Sequence, residues 1–388
     1  MRARCHVSSL ALFTGAAAVA WGVGAGVPHF SLTSLGSLGG SASSIFINDS
    51  GLIAGYGYLA GNQNSRGFVY TNGSYTLLPS LGNSTYTVVN GMNNVGQVVG
   101  GSNGHAFVYA AADGSMIDLG TFGRSSATAN AINDHGDLVA SSWNGGTDVQ
   151  AHLYSNGSFI TLPTFAGGTG VANDINNAGM VAGSSTISTS TQNQASHGYT
   201  YLNGVVTEIL PLASGGSSAG AINDWGEVAG SSHAADGDLR AYHYADGIMT
   251  ELGSFGFFST ISHDINNASQ VVGQSQVWES GFGELYSRID HAFLSQDGAF
   301  LDLNDLVDLS STNFSYLWSA TSINESGQIV GIGETLSGTR EFYLLTPISL
   351  TAVPEPAHAA LTFGGAVLGF LAWRRRARGR PSTTEPPR

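Results

Sequence analysis

Seven polar residues recur at one position of a repeated phrase, and they are the first candidates for binding chemistry. The phrase appears as RGFVY, HAFVY, QAHLY, HGYTY, RAYHY, HAFLS and REFYL. Its first residues are Arg66, His105, Gln150, His197, Arg240, His291 and Arg340. In a ring of repeats, such side chains can form a polar circle that hydrogen-bonds a glycan, or they can satisfy neighbouring backbone groups. Both interpretations stay open from the sequence.

Acidic and histidine residues beside a repeated Ile-Asn pair form the second set of candidates. Asp174, His263 and Asp264 directly precede such pairs. We expect these pairs to lie on the innermost strands, where the side chains can face an axial channel and hold a cation. Packing or solvation of the same side chains is the alternative.

No catalytic motif is present in the sequence. It contains no Gly-x-Ser-x-Gly elbow between a strand and a helix, no His-Glu-x-x-His, no phosphate-binding loop and no Rossmann fingerprint. The acidic segment of Asp302, Asn304, Asp305 and Asp308 lacks the spacing of a calcium loop, which indicates a solvated loop. We therefore expect a non-enzymatic protein without a cofactor. The alternative, an enzyme acting on extracellular polysaccharide, requires two carboxylates, or a histidine and carboxylate set, on one face.

These candidates belong to a unit that occurs seven times. Each unit contains a phrase such as INDSGLIAG or INNAGMVAG, and we call its first asparagine the register asparagine. The register asparagines are Asn48, Asn93, Asn133, Asn176, Asn223, Asn266 and Asn324. Subtracting successive positions gives spacings of 45, 40, 43, 47, 43 and 58 residues. This period is typical of a four-stranded propeller blade, and the asparagines and the glycines that follow them indicate tight turns.

Each unit has the patterns of four short strands. Alternating aromatic and small residues mark a half-buried strand, and an Asn-Gly or Asp-Gly hairpin follows it in six units. The seventh unit lacks the hairpin, whereas an unmatched strand pattern at residues 30–38 precedes the first unit. The sequence therefore predicts an all-β fold for residues 28–352. The fold is a seven-bladed β-propeller of four-stranded blades, closed by an N-terminal strand.

The repeat resembles the HAF family of extracellular repeats, which is named for a His-Ala-Phe triplet. The triplet occurs unaltered at 105–107 and 291–293, and the resemblance covers nearly the whole body. Individual copies depart from the pattern. Arginine or glutamine replaces the histidine in four units, Ser269 replaces the turn glycine in the sixth, and Ala140 replaces the final glycine in the third.

The N-terminus has the order of parts of a cleavable signal peptide, which we assign to residues 1–27. Arg2 and Arg4 precede an apolar stretch at residues 7–20, and small residues follow at 23–25. Cleavage would also remove Cys5, the single cysteine, so the mature body would carry no disulfide. An uncleaved anchor is the alternative. The formal net charge of −14 makes the chain acidic, which predicts that nucleic acid is not a partner.

The C-terminal region, residues 353–388, carries a short motif, an apolar span at 359–373 that we expect to be helical, and a basic cluster. The signal residues are Val353, Pro354, Glu355, Pro356, Arg374, Arg375 and Arg376. This order resembles the PEP-CTERM sorting signal. The resemblance implies an exosortase-type processing enzyme as partner, transient inner-membrane insertion, and association with exopolysaccharide or biofilm matrix at a Gram-negative cell surface. An ordinary membrane anchor is the alternative.

Overall fold

The computed structural model describes residues 27–348 except for gaps at 62–63, 146–147, 166–167, 188–194, 257–258 and 281–285. Within these residues the chain forms seven four-stranded antiparallel sheets, which confirms the predicted seven-bladed β-propeller. No helix of this part of the chain has the length and apolarity needed to cross a bilayer. The predicted signal peptide and C-terminal tail lie outside the described residues.

The strands of each blade run antiparallel from the propeller axis outward. Strand β1 (His29–Gly36) belongs to the last blade. Blade 1 contains β2 (Gly39–Ile47), β3 (Ile53–Leu59), β4 (Ser65–Thr71) and β5 (Ser74–Leu77). Blade 2 contains β6 (Thr87–Met92), β7 (Gln97–Ser102), β8 (His105–Ala110) and β9 (Met116–Gly120). Blade 3 contains β10 (Ser126–Ile132), β11 (Leu138–Trp143), β12 (Val149–Ser155) and β13 (Ser158–Thr161).

The remaining blades repeat this order. Blade 4 contains β14 (Gly170–Ile175), β15 (Val181–Thr186), β16 (Ser196–Leu202) and β17 (Val205–Ile209). Blade 5 contains β18 (Ser217–Ile222), β19 (Val228–His233), β20 (Leu239–Ala245) and β21 (Ile248–Glu251). Blade 6 contains β22 (Thr260–Ile265), β23 (Val271–Ser280), β24 (Tyr286–Gln296) and β25 (Ala299–Asp302). Blade 7 contains β26 (Phe314–Ile323), β27 (Ile329–Thr335), β28 (Arg340–Ile348) and β1.

The hydrophobic core lies between neighbouring blades, so the first half of each second strand is buried, and there aliphatic residues precede a glycine or an alanine. Gly100 lies opposite Phe107, and a Cβ atom on Gly100 would stand 1.9 Å from the carbonyl oxygen of Val88 and 3.1 Å from the Phe107 ring. The close approach of the first strand's carbonyl therefore favours glycine at this position, and the aromatic ring of the third strand adds a second tight contact. In blade 3 both positions change together, since Ala140 lies opposite the buried His152.

The predicted hairpins connect the third and fourth strands of six blades. In five of them both residues have positive φ, namely Asn72-Gly73, Asn156-Gly157, Asn203-Gly204, Asp246-Gly247 and Asp297-Gly298. Blade 2 differs, because residues 111–115 form a longer loop in which Gly114 has a φ of 74° and Asp113 is not left-handed. The left-handed conformation explains why asparagine, aspartate and glycine occupy these turns.

Strand β1 closes the ring. It pairs antiparallel with β28 from His29 opposite Ile348 to Gly36 opposite Phe342, which confirms the predicted N-terminal closure. Phe30 is 5% exposed and belongs to the core between blades 6 and 7. Because His29 and Ile348 are register partners, both ends of the propeller body leave the ring side by side.

Replacing Phe30 is expected to destabilise the whole body, because its side chain holds β1 against the core that closes the ring. Phe30→Ala should lower the free energy of unfolding by about 3–5 kcal/mol, measured by urea unfolding. The exposed neighbour Thr33 in the same strand supplies the control, and Thr33→Ala should change stability by about 0.5 kcal/mol or less. Equal unfolding midpoints for the two variants would contradict closure by β1.

Candidate functional site

The channel on the propeller axis is the place where side chains from all seven blades meet. One end holds a cavity of about 180 Å³ lined by residues of the seven register turns. A second cavity of about 200 Å³ lies beside it and is lined by residues that precede these turns. The channel is therefore the natural place to examine the predicted cation ligands.

The register asparagines form a closed ring of hydrogen bonds around one end of the channel. Their side chains are buried, with 2–5% of each residue exposed. Each Nδ2 donates to the backbone carbonyl of the register asparagine in the next blade at 2.8–3.1 Å. The last bond runs from Asn324 to Asn48, so the ring closes without interruption.

The same side chains also organise their own turns, as the sequence predicts. Each register asparagine accepts, through Oδ1, the backbone N–H of the residue four positions later at 2.8–3.1 Å. In the sixth unit, Ser269 takes the place of the turn glycine with a φ of 57°. Its hydroxyl donates to a Glu227 carboxylate oxygen at 2.6 Å, which ties this unfavourable conformation to the preceding blade.

A second ring of hydrogen bonds is formed by the residues that follow the register asparagines. Each backbone N–H donates to the side-chain oxygen of the equivalent residue in the next blade at 2.8–3.0 Å. The members, in order, are Asp49, Asn94, Asp134, Asn177, Asp224, Asn267 and Glu325. Acids and amides alternate, and amide groups of Asn94, Asn177 and Asn267 donate to the neighbouring carboxylates.

Seven is an odd number, so the alternation fails once, where Glu325 meets Asp49. The Glu325 backbone N–H donates to Asp49 at 2.9 Å. Burial and repulsion from the Asp49 and Asp224 carboxylates raise the pKa of Glu325. The second ring thus concentrates negative charge at the side of the channel where the last blade meets the first.

Asp174 and Asp264 each join two blades from inside the channel. Asp174 accepts the Ile175 N–H at 2.8 Å and the Ile222 N–H of the next blade at 2.9 Å. Asp264 makes the equivalent bonds, accepting from Ile323 of blade 7 at 2.9 Å. Burial raises the pKa of Asp174 to about 7 and that of Asp264 to about 6, although these hydrogen bonds oppose the shift.

The structure does not bring the three predicted cation ligands together as a metal site. His263 lines the same cavity as Asp174 and Asp264, and its Nε2 lies 3.2 Å from Oε1 of Gln274. Burial lowers the pKa of His263. Among the described residues, no group of three or more histidine, cysteine, aspartate or glutamate side chains is placed to hold a metal ion.

The three histidines of the predicted polar circle lie on third strands, two strands away from the channel. Each faces a carboxylate on the fourth strand of its own blade. His105 lies 2.9 Å from Asp118, His197 lies 2.5 Å from Glu208, and His291 lies 2.7 Å from Asp302. These contacts favour the interpretation in which the side chains satisfy groups within their own blade.

The other four members of the predicted circle occupy the equivalent strand positions. Arg66 donates to the carbonyl of Leu78 at 2.9 Å, and Arg240 pairs with Asp236 at 2.5 Å. The Arg340 guanidinium lies 3.9 Å from the ring centroid of Trp318. Gln150 lies opposite Ser142 in the register of blade 3. The seven residues thus occupy equivalent strand positions, one in each of the seven blades.

The acidic segment after blade 6 differs from its prediction as a solvated loop. Asp305 and Asp308 are exposed, as expected. Asp302 and Asn304 are partly buried, and Asp302 caps a 3₁₀ helix at Leu303–Asp305 by accepting the Asn304 N–H at 2.9 Å. The Asp302 side chain is held in this partly buried position by its contact with His291, and strand spacing alone does not reveal that contact.

Sequence reasoning missed the second ring and the donor role of the register asparagines. Both involve the next blade, 40–58 residues away, or 276 residues away where the ring closes. The signal available in the sequence was the residue after each register asparagine, which is aspartate or asparagine in six units and glutamate in the seventh.

Comparisons with solved structures show the fold alone. No protein-family model and no curated protein sequence matches the chain. The β-propeller domain of the Trilobed protease from Pyrococcus furiosus, described as having an open velcro topology, superposes with a TM-score of 0.53 at 11% identity. The match covers 81% of this chain and 99% of that one. The acylaminoacyl peptidase of Pyrococcus horikoshii gives a TM-score of 0.51 at 11% identity over 81% of this chain, which spans 54% of that peptidase.

Replacing one register asparagine by aspartate is expected to destabilise the propeller, because the acceptor remains while the donor to the next blade is lost. Asn176→Asp also buries a charge beside the Asn223 carbonyl, so the free energy of unfolding should fall by at least about 2 kcal/mol. Asn203→Asp is the control, since Asp246 and Asp297 occupy that hairpin position in other blades. Chemical unfolding that gives both variants the same midpoint would show that the ring is dispensable.

The channel carboxylates are expected to make stability fall as the pH rises from about 4 to about 7. Their folded pKa values are raised, so the folded state binds more protons than the unfolded state in this window, and stability present below pH 4 is lost above it. Because one pKa unit corresponds to about 1.4 kcal/mol, the change should be on the order of 3 kcal/mol for each carboxylate.

The double variant Asp174→Asn/Asp264→Asn should flatten this part of the pH profile in thermal and chemical unfolding. The matched control, Asp246→Asn/Asp297→Asn, removes the same charge from two exposed hairpins and should keep the wild-type slope. A control as flat as the channel variant would refute the assignment.

Proposed function

We propose that the protein is an exported surface or biofilm-matrix protein, sorted through its PEP-CTERM-like tail, whose propeller is a non-enzymatic binding or adhesion scaffold associated with exopolysaccharide. The observation that carries this proposal is the order of parts in the sequence. A signal-like start precedes the HAF-like repeats, and Pro354-Glu355-Pro356, an apolar span and an arginine cluster follow them.

The architecture of the body supports a scaffold role. The ring is closed by β1 and by hydrogen bonds between every pair of adjacent blades, without any need for a disulfide. Both ends of the body leave the ring at adjacent positions of blade 7. A tail anchored during sorting would therefore attach the propeller to the membrane through blade 7.

Enzymatic action on polysaccharide is the second candidate, and one observation favours it. A histidine and a carboxylate lie in contact at the edge of a cleft, where His291 is 2.7 Å from Asp302. Equivalent pairs in blades 2 and 4 show that this contact also has a purely structural use. We therefore retain the scaffold as the proposed function.

Processing of the tail tests the proposal directly. We expect the exported protein to end near Pro354-Glu355-Pro356, as determined by intact-mass spectrometry of the surface and released fractions. Glu355→Gln should leave membrane insertion unchanged and block processing, whereas neutral residues at Arg374, Arg375 and Arg376 should disturb tail orientation. A change at Glu385, which lies beyond the basic cluster, is the control and should have no effect. Recovery of released wild-type protein that still carries Arg388 would refute sorting by this tail.

A further inference from the structure

A cleft of about 380 Å³ lies at the junction of blades 6 and 7. It is lined by His291, Asn304, Leu309, Ser315, Tyr316 and Glu334. It lies outside the axial channel and is separate from both hydrogen-bonded rings. Five of its six lining residues lie within the longest interval between register asparagines, the 58 residues from Asn266 to Asn324.

One wall of the cleft is an imidazole whose orientation is fixed. His291 Nδ1 lies 2.7 Å from the Asp302 carboxylate, and the side chain retains 22% exposure. Burial opposes ionisation of Asp302, but the hydrogen bonds from His291 and Asn304 outweigh it and lower the pKa. An ionised Asp302 accepts a hydrogen bond from the Nδ1–H group, which leaves Nε2 as the ring nitrogen able to bond a ligand.

The Tyr316 ring extends this wall and lies beside a carboxylate. The Tyr316 ring stacks against His291 with a centroid distance of 5.7 Å and an interplanar angle of 30°. Its hydroxyl donates to a Glu334 carboxylate oxygen at 3.0 Å. A flat apolar surface next to fixed polar groups suits a sugar ring, which offers a C–H face for stacking and hydroxyl groups for hydrogen bonds.

The segment that connects blades 6 and 7 is held in place by hydrogen bonds, so the cleft is formed before any ligand arrives. The Leu317 N–H donates to Asn304 Oδ1 at 2.7 Å, and Asn304 Nδ2 donates to the Leu317 carbonyl at 3.2 Å. Asn304 Nδ2 also donates to Asp302 at 2.8 Å. Preorganisation of this kind reduces the entropy lost on binding.

Blades 2 and 4 share the histidine and carboxylate pair of blade 6, but the residues of the following blade differ. His105 and His197 make the same contact with a carboxylate, in blades 2 and 4. In the blades that follow them, however, the cross-strand pair equivalent to Tyr316 and Glu334 is Ser126 with Trp143, and Gly216 with His233. An aromatic residue paired with a carboxylate thus accompanies the histidine at blades 6 and 7 and not at these two junctions.

We infer that this cleft binds a neutral sugar residue of a glycan, stacked on Tyr316 and hydrogen-bonded by Glu334 and His291. The Asp302 and Glu334 carboxylates, on an acidic protein, disfavour uronate or sulfated sugars. The inference deepens the proposed function and rests on its assignment of the propeller as a glycan-associated scaffold.

Binding of neutral tetrasaccharides to the exported protein tests the inference. The probes are cellotetraose, maltotetraose and mannotetraose, with tetragalacturonate as the charged counterpart, measured by isothermal titration calorimetry. We expect binding of at least one neutral probe and weaker binding of the uronate. Tyr316→Ala and Glu334→Gln should each reduce affinity about tenfold.

His105→Ala and His197→Ala are matched controls, because they remove the equivalent histidine where the cleft is absent, and they should bind as wild type does. Thermal unfolding would show whether Tyr316→Ala folds. If it does not, the affinity of Glu334→Gln still tests the cleft. Cleft variants that bind as the controls do, or a preference for the uronate, would overturn the cleft assignment while leaving the scaffold proposal intact. No binding of any probe by the wild type would overturn the cleft assignment and count against a glycan-binding scaffold, whereas the processing of the tail is tested separately.

Discussion

The rest of the structure depends on the register asparagine, whose side chain makes one hydrogen bond within its own turn and another to the next blade. A register asparagine accepts a backbone N–H of its own turn through Oδ1 and donates through Nδ2 to the carbonyl of the next blade. Aspartate cannot donate, and glutamine is one methylene longer, so few residue types can make both bonds at this spacing. Because seven copies close a circle, each turn fixes the position of the following blade, and the last fixes the first. Rigidity of the ring therefore arises from local turns that are linked end to end.

The closed circle also distributes charge. In the second ring, Asn94 and Asn177 donate to Asp134, and Asn177 and Asn267 donate to Asp224. The two aspartate carboxylates are therefore each stabilised from both neighbours. An odd number of blades prevents this arrangement from closing, and the acidic Glu325 and Asp49 become adjacent. Deeper in the channel, Asp174 and Asp264 serve as acceptors for backbone N–H groups of the next blade. The acidic channel is thus explained by the joining of blades, without invoking a bound cation.

The sequence was sufficient to predict the fold because its signals are local and repeated. The spacing of Asn48 to Asn324, the hairpin at Asn203-Gly204 and the unmatched strand before the first unit predicted the blade count, the turns and the closure by β1. The candidate site was predicted less well, because it depends on distances across blades. Equivalent positions of His105 and His291 were recognised, but the sequence does not give their distance from the axis or the residues on the next blade. Asp302 was assigned to a solvated loop for the same reason, since its partner His291 lies across a strand pair.

Repetition and recognition place different demands on the same chain. Where the repeat is regular, its polar side chains are used to join blades, and a ligand at the channel would have to compete with the hydrogen bonds of Asn176 or Asp174. Such competition costs about 1–3 kcal/mol for each buried group left unsatisfied. At the junction of blades 6 and 7, by contrast, Tyr316 and Glu334 lie beside a histidine and carboxylate pair whose structural requirement is already met within blade 6. Such groups can bind a ligand without loosening the ring, so a junction where the side chains differ from those of other blades is a better place for specificity than the axis that all blades share.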